Sequence, residues 1–438
     1  MGIPQSCIRS AWLAVCVVLA VASCSSNTEP AASSSASGSS APATTATAAA
    51  AASALKTIDP EAFRTVVAGL AKDLMVPGAM VELRTPQGRF DAAVGTTELG
   101  AQIPPEPGTH FRIASNTKTM TAALIVLLVQ DGKLKFTDPV STYVSGVPNG
   151  ENITVAQLLK MRTGLFGYTA DPQLSAVMDA TPAKAWTPQE VLAIAYRHPP
   201  QFAPDAEYEY SNTNYALLGV IAEKVGGRPL AQQFQDRLFG VAGLRQTSLP
   251  AIDDTSIPSP YSHGYMYGGS FYALADDPYP ADIQSAAKSG ALQPIDYTNQ
   301  NSSYATAAGG AISTADDLAT WIEALVTGKV FDADFHQQWL TSLQAEDPAA
   351  PEGQKYGYGI SYQRFGPNAA MFYHGGELPG FNSFMGYDPD NDVTLVIWTN
   401  LTLSPEGNTT AQAMLAPLLD EIYAGLNLVS APTPTTTK

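Results

Sequence analysis

Ser115 and Lys118 stand three residues apart in Phe111-Arg112-Ile113-Ala114-Ser115-Asn116-Thr117-Lys118-Thr119-Met120. On a helix that spacing puts both side chains on one face, one turn apart. A lysine ammonium desolvated beside a hydroxyl loses its charge easily and becomes a base. An alcohol held by such a base is an activated nucleophile. The unpaired N–H groups and positive end of a helix also favour negative charge on Ser115 Oγ. Ser-x-x-Lys recurs at Ser53-Ala54-Leu55-Lys56 and Ser285-Ala286-Ala287-Lys288. Ser53 borders a low-complexity tract, and Ser285 lies between Asp276-Asp277-Pro278-Tyr279-Pro280 and Gly290, which suits a loop. Only Ser115 opens a long apolar run, Thr121 to Val129, stopped by Asp131-Gly132. A helix apolar on every side is a buried one and can hold a nucleophile still. The plain alternative is that Ser115 caps a core helix.

Two further groups have matching chemistry. In Tyr208-Glu209-Tyr210-Ser211-Asn212-Thr213-Asn214-Tyr215, Tyr210 offers a phenol to share a proton with Ser115 and Lys118. Asn212 offers an amide to orient substrate. The competing reading is a loop capping a helix that starts near Asn214. In Tyr373-His374-Gly375-Gly376-Glu377-Leu378-Pro379-Gly380, the glycines let a strand edge approach a substrate. The backbone N–H of Glu377 can then pair with that of Ser115 to hold an oxyanion. His374 offers an imidazole to shuttle a proton or polarise the site; otherwise it is a hydrogen-bonded histidine at a strand end. Ser285, Lys288 and Tyr297 form a rival set, but they are too close in sequence to pack a lobe between nucleophile and phenol.

The elements that must position these residues are legible in outline. Asp59-Pro60 caps a helix with Phe63, Val66, Val67, Leu70 and Leu74 on one face. Gly78 to Leu83 and Arg89 to Gly95 read as a hairpin about Pro86-Gln87-Gly88. Helical patterns follow the Ser115 segment at Ile153 to Lys160, Pro188 to Tyr196 and Asn214 to Val225. Ser313/Thr314 cap a helix bearing Leu318, Trp321, Ile322 and Leu325. Ala369 to Tyr373, Phe381 to Tyr387 and Val393 to Thr399 read as strands, and Asn408 to Gly425 as a closing helix kinked at Pro417. The fold class is therefore α/β (α+β): an antiparallel sheet built from both ends of the body, flanked by helices, with an inserted, mainly helical lobe. The cleft between the two is the natural place for a site.

Composition narrows the class. The 438 residues can bury a large core, and 45% apolar with 14% charged residues suits a globular enzyme or binding protein. A net charge of −17 argues against nucleic acid and against attraction to anionic lipid. The three cysteines, Cys7, Cys16 and Cys24, precede the body, which excludes disulfides and thiolate catalysis there. Five histidines without a His-Glu-x-x-His pattern disfavour a zinc site. Residues 1–24, with Arg9 and an apolar core from Ala11 to Ala22, read as a signal peptide. Its end, Val21-Ala22-Ser23-Cys24, resembles the bacterial lipobox, which implies lipidation at Cys24. Residues 25–55 read as a disordered Ser/Ala/Thr-rich tether, 56–428 as the body and 429–438 as a disordered tail.

Ser115-Asn116-Thr117-Lys118, Tyr210-Ser211-Asn212 and His374-Gly375-Gly376, in that order, resemble the three motifs of the serine β-lactamase/penicillin-recognising family. The likeness is to its class C branch, with the D-alanyl-D-alanine carboxypeptidases and related esterases. It extends to Asp131-Gly132-Lys133-Leu134, Thr163-Gly164-Leu165, Asn214 to Gly219 and Gly309 to Thr314. The resemblance implies a β-lactamase/transpeptidase-like fold and attack by Ser115 on a carbonyl. Lys118 and Tyr210 would transfer the proton, with the division of labour between them left open. Asn212 would bind the substrate's amide side, and the N–H groups of Ser115 and Glu377 the oxyanion. No cofactor or metal is implied. The third motif departs from Lys-Thr-Gly and His-Thr-Gly: Gly375 has no hydroxyl to grip a carboxylate, which weighs against efficient β-lactam hydrolysis. The Gly-x-Ser-x-Gly elbow of α/β-hydrolases is absent from the sequence.

The expectation is a lipid-anchored serine hydrolase on the outer face of a bacterial cell membrane, acting through an acyl-enzyme at Ser115. The preferred subclass is a peptidase of D-alanyl-D-alanine carboxypeptidase type; its substrate would be a peptide or ester, with a peptidoglycan stem peptide favoured by location. An esterase or β-lactamase on the same scaffold, and a non-catalytic penicillin-binding lipoprotein, are the competing readings.

Overall fold

The computed structural model describes residues 54–275 and 277–428. The signal segment, Cys24, most of the tether and the tail lie outside the described residues. Ala54 and Leu55, assigned above to the tether, are already paired. Leu55 bridges Tyr423, and Ala54 O accepts from Ala424 N at 2.8 Å.

The helix Pro60–Asp73 starts where Asp59 accepts from the N–H groups of Glu61 and Ala62. Strands β1 (Gly78–Thr85) and β2 (Gly88–Gly95) form the expected hairpin. Short pairs follow in the middle of the chain. Strand β3 (Phe111–Arg112) pairs with β6 (Ile312–Ser313), and β4 (Tyr265–Met266) with β5 (Ile295–Asp296). The late strands are β7 (Gln344–Ala345), β8 (Lys355–Tyr356), β9 (Ser361–Gly366), β10 (Ala369–Leu378), β11 (Phe381–Asp388) and β12 (Val393–Thr399). They join the first hairpin in one antiparallel eight-stranded sheet, ordered β2-β1-β12-β11-β10-β9-β8-β7. Both ends of the body thus build one sheet around a mainly helical middle.

Strand β12 is buried along its whole length because both faces of the sheet are covered. Its alternation sorts side chains between two cores. Leu395 and Ile397 pack with Val81 and Leu83 against helices Pro60–Asp73 and Thr410–Ile422. Val396 and Trp398 face the other way, into the core shared with helices Thr117–Gln130 and Ala315–Val326. Trp398 stacks on Phe111, ring centroids 5.1 Å apart, which ties the sheet to the segment leading into Ser115. Every residue of the helix Thr117–Gln130 from Thr117 to Leu128 is buried. Truncating one of them, as in Leu124→Ala, costs about 2–5 kcal/mol.

Two expectations need correction. Strand β10 does not stop at Tyr373: it continues through His374-Gly375-Gly376 to Leu378, paired with β11 as far as Leu378↔Phe381. Two glycines carry no strand propensity of their own, so the pairing comes from the neighbouring strand. Ser285 is not in a loop but on the helix Ala281–Lys288, an eight-residue segment between the punctuating Pro280 and Gly290. Its Oγ donates to Ala281 O at 2.7 Å, and Lys288 pairs with Glu406 at 2.8 Å.

Candidate functional site

Ser115 sits in the 3-10 turn Ala114–Asn116 that runs directly into the helix Thr117–Gln130. Ala114 has φ +49°, a left-handed conformation unusual for a residue with a side chain. Neighbours hold that turn in place. Asn116 Nδ2 donates to Ile113 O at 3.0 Å and to Ser383 Oγ on β11 at 2.8 Å. Thr117 Oγ1 donates to Ala114 O at 2.7 Å and accepts from Ala311 N at 3.2 Å. Just upstream, the buried Arg112 guanidinium donates to Ser302 Oγ and Thr255 O, both at 2.7 Å. Ser115 itself is partly exposed.

Lys118 is fully buried below it. Its Nζ lies 2.8 Å from Ser115 Oγ, 2.7 Å from Asn212 Oδ1 and 2.7 Å from Ala308 O. Burial holds the ammonium well below the ordinary lysine range. Asn212, the first residue of the helix Asn212–Gly226, keeps its amide oriented by donating from Nδ2 to Thr169 Oγ1 at 3.1 Å. The helix starts two residues before the expected Asn214, with Ser211 as its N-cap. Asn214, two residues on, is instead structural and accepts from Thr163 Oγ1 at 2.6 Å.

The ring of Tyr210 centres 4.8 Å from Lys118 Nζ and 6.3 Å from the His374 ring. His374 is buried on β10. Its Nδ1 lies 2.6 Å from the carbonyl oxygen of Gly375, which can only accept, so Nδ1 carries the proton. Nε2 then accepts from Tyr356 Oη at 3.2 Å. Burial foremost, then the cationic form of Lys118, lowers the imidazole pKa to about 3, against an opposing contribution from the Gly375 hydrogen bond. Burial pushes the Tyr356 phenol well above its ordinary value, so it remains a donor. His374 is therefore a neutral ring with both nitrogens engaged.

Strand β9 accompanies β10 only as far as Tyr373↔Ser361, so β10 leaves that edge open beyond Tyr373. There the Ser115 turn packs directly on the strand. A Cβ on Gly376 would stand 2.3 Å from Ile113 O and 2.5 Å from Ser383 Oγ, so only glycine fits. A Cβ on Gly375 would instead meet Gln412 Nε2 at 2.7 Å, on the closing helix Thr410–Ile422. The cleft above Ser115 is lined by Tyr168, Thr169, Asn212, Tyr304, Glu377 and Leu378 among others.

Of the expected site residues, Ser115, Asn212 and Glu377 line this cleft, Lys118 hydrogen-bonds to the first two, and Tyr210 and His374 lie next to Lys118 and to each other. Gly376 lies under the Ser115 turn, whereas a side chain at Gly375 would face Gln412. Cys24 lies outside the described residues. Sequence reasoning missed Tyr356, Ala308 and Thr169. Tyr356 carried no sequence signal of its own, because its hydroxyl meets His374 only once β8 and β10 share a sheet. Ala308 contributes a backbone carbonyl, which no side-chain pattern reveals. Ser285 and Tyr297 are not part of this site: Tyr297 Oη donates to Gly268 O at 2.8 Å.

Known proteins resemble this chain over most of its length. PbpX of Bacillus subtilis (strain 168), provisionally named a penicillin-binding protein, is 22% identical over 373 residues, covering 85% of this chain and 80% of that protein. The structure of a D-stereospecific amidohydrolase from Streptomyces sp. is similar with a TM-score of 0.69 and 28% identity, covering 83% of this chain and 99% of that one. D-amino acid amidase from Ochrobactrum anthropi SV3, solved with L-phenylalanine amide, is similar with a TM-score of 0.66 and 25% identity, covering 82% and 98%. The model of the family described as Beta-lactamase matches residues 63–418. The chain belongs to the beta-lactamase family of serine hydrolases.

Proposed function

We propose that this protein hydrolyses amide or ester bonds through an acyl-enzyme at Ser115, with amides of D-amino acids as its preferred substrates. The observation that carries the reading is the Lys118 environment. Asn212 Oδ1 and Ala308 O are obligate acceptors and take two N–H bonds. A neutral amine then has its lone pair left for the Ser115 hydroxyl. In this reading Lys118 takes the Ser115 proton as Oγ adds to the carbonyl carbon. The N–H groups of Ser115 and Glu377 hold the oxyanion. Tyr210 passes a proton to the leaving nitrogen as the C–N bond breaks, and water then cleaves the ester to Ser115 by the reverse proton path. His374 orients and does not shuttle, because neither of its nitrogens is free.

The likeness to a D-stereospecific amidohydrolase and to a D-amino acid amidase supports the amide preference. A D-alanyl-D-alanine carboxypeptidase is the second reading, supported by the likeness to PbpX and by the lipobox-like Val21-Ala22-Ser23-Cys24, which would place the protein at the cell envelope. The test is a comparison of three substrates with the wild type and Ser115→Ala. Ammonia release from D-phenylalanine amide supports the first reading, and D-Ala release from a pentapeptide ending in D-Ala-D-Ala the second. Turnover of p-nitrophenyl acetate alone makes the protein an esterase, and activity that survives Ser115→Ala refutes the mechanism.

A further inference from the structure

The cleft has an unusual charge balance for the family reading of a carboxylate-bearing substrate. Among the described residues lining it, Glu377 is the only charged one. Lys118 lies beneath the floor and is spent on Ser115, Asn212 and Ala308. His374 is a neutral ring tied to Gly375 O and Tyr356 Oη. At Gly375 a side chain would point to Gln412 rather than add a hydroxyl to this wall. No lining group therefore offers a positive charge to a substrate carboxylate.

Glu377 is partly buried, and its charge reaches the phenols of Tyr279 and Tyr304, both of which it raises in addition to burial. A carboxylate lining the same cleft as Ser115 opposes the negative charge that develops on the substrate oxygen during attack. A cationic group on the substrate removes that opposition and gains a charge-assisted hydrogen bond. The α-ammonium of an amino-acid residue is such a group, and it is bonded to the carbon next to the reacting carbonyl. We propose that Glu377 is a specificity-determining residue that takes this ammonium, so that the protein acts on amino-acid amides and on peptides cleaved after a free amino-terminal residue. This rests on the Ser115 reading above and goes beyond it by naming which end of the substrate is recognised.

The experiment compares kcat/KM for D-phenylalanine amide with that for its N-acetyl derivative, in the wild type, Glu377→Gln and Glu377→Asp. A Ser115 adduct with a fluorophosphonate, detected by intact mass, is measured on each variant as a check that the site is assembled. The expected wild-type preference for the free amine is roughly tenfold to a hundredfold. Glu377→Gln should abolish that preference while still forming the adduct, and Glu377→Asp, which keeps the charge, should retain part of it. Equal use of both substrates by the wild type, or a preference unchanged in Glu377→Gln, overturns the inference and leaves the Ser115 reading standing. A wild type that forms no Ser115 adduct and turns over neither substrate overturns both.

Discussion

Nζ of Lys118 lies 2.8 Å from Oγ of Ser115, at the bottom of a pocket whose other two acceptors, Asn212 Oδ1 and Ala308 O, cannot donate. The pair is thus built to hold an amine whose free electron pair meets a hydroxyl. Burial supplies the depressed pKa, and the two acceptors supply the direction. The Ala114–Asn116 turn, pinned to β11 by Asn116, keeps the alcohol within reach.

Lys118→Met should lower kcat/KM by about two to four orders of magnitude, the usual cost of removing a general base. Lys118→Arg should not rescue it, since a guanidinium stays charged. In the wild type, kcat/KM should rise with pH as Lys118 loses its proton and level off below the ordinary lysine pKa of 10.5. An acid limb that persists unchanged in Lys118→Met would assign it to another group.

His374 should make the fold acid-sensitive. Its pKa is 6.5 when exposed and about 3 in the folded protein, so between those values the unfolded chain binds the extra proton. Stability therefore falls as pH drops through that window, by up to about 1.4 kcal/mol per pH unit from this group. Urea midpoints at pH 7 and pH 5 should draw together in His374→Gln. An equal acid dependence in wild type and variant would show that the ring is not held neutral.

Tyr356→Phe leaves Nε2 of His374 without its donor at a buried position. The expected cost is about 1–3 kcal/mol of stability. Nitrogen-15 shifts of the imidazole should show Nε2 losing its accepted hydrogen bond while Nδ1, held by the Gly375 carbonyl, keeps its proton. An Nε2 shift unchanged in the variant would remove Tyr356 from the positioning role.

The two glycines of the third motif should behave differently. Gly376→Ala drives a Cβ to 2.3 Å from the Ile113 carbonyl, a backbone atom that can move only with the Ser115 turn. Activity and melting temperature should both fall. Gly375→Ala meets the end of the Gln412 side chain, which can swing away, and should lose little of either. The opposite ranking would mean that β10 does not pack against the turn as described.

Where burial and periodicity agree, the sequence was readable. The Ser115 helix is buried from Thr117 to Leu128, and an unbroken apolar run says so directly. The first hairpin was legible because Pro86-Gln87-Gly88 divides two strand-like runs. The extension of β10 past Tyr373 was not, because Gly375 and Gly376 are strand only through pairing with β11. The short strands β7 and β8 carry two residues each, too few to show a period. In the site, the ordered motifs pointed to Ser115, Lys118, Tyr210, Asn212 and His374, whose side chains the fold brings together. The Ala308 carbonyl and the Tyr356 hydroxyl become visible only when distant segments are brought into contact.

The most direct test of the Ser115 assignment is a trapping experiment. The full-length protein is treated with a fluorophosphonate, digested, and the modified peptide is sequenced by tandem mass spectrometry. The adduct should map to Ser115, be lost in Ser115→Ala, and persist in Ser285→Ala. An adduct at Ser285, or one that survives Ser115→Ala, would contradict the account.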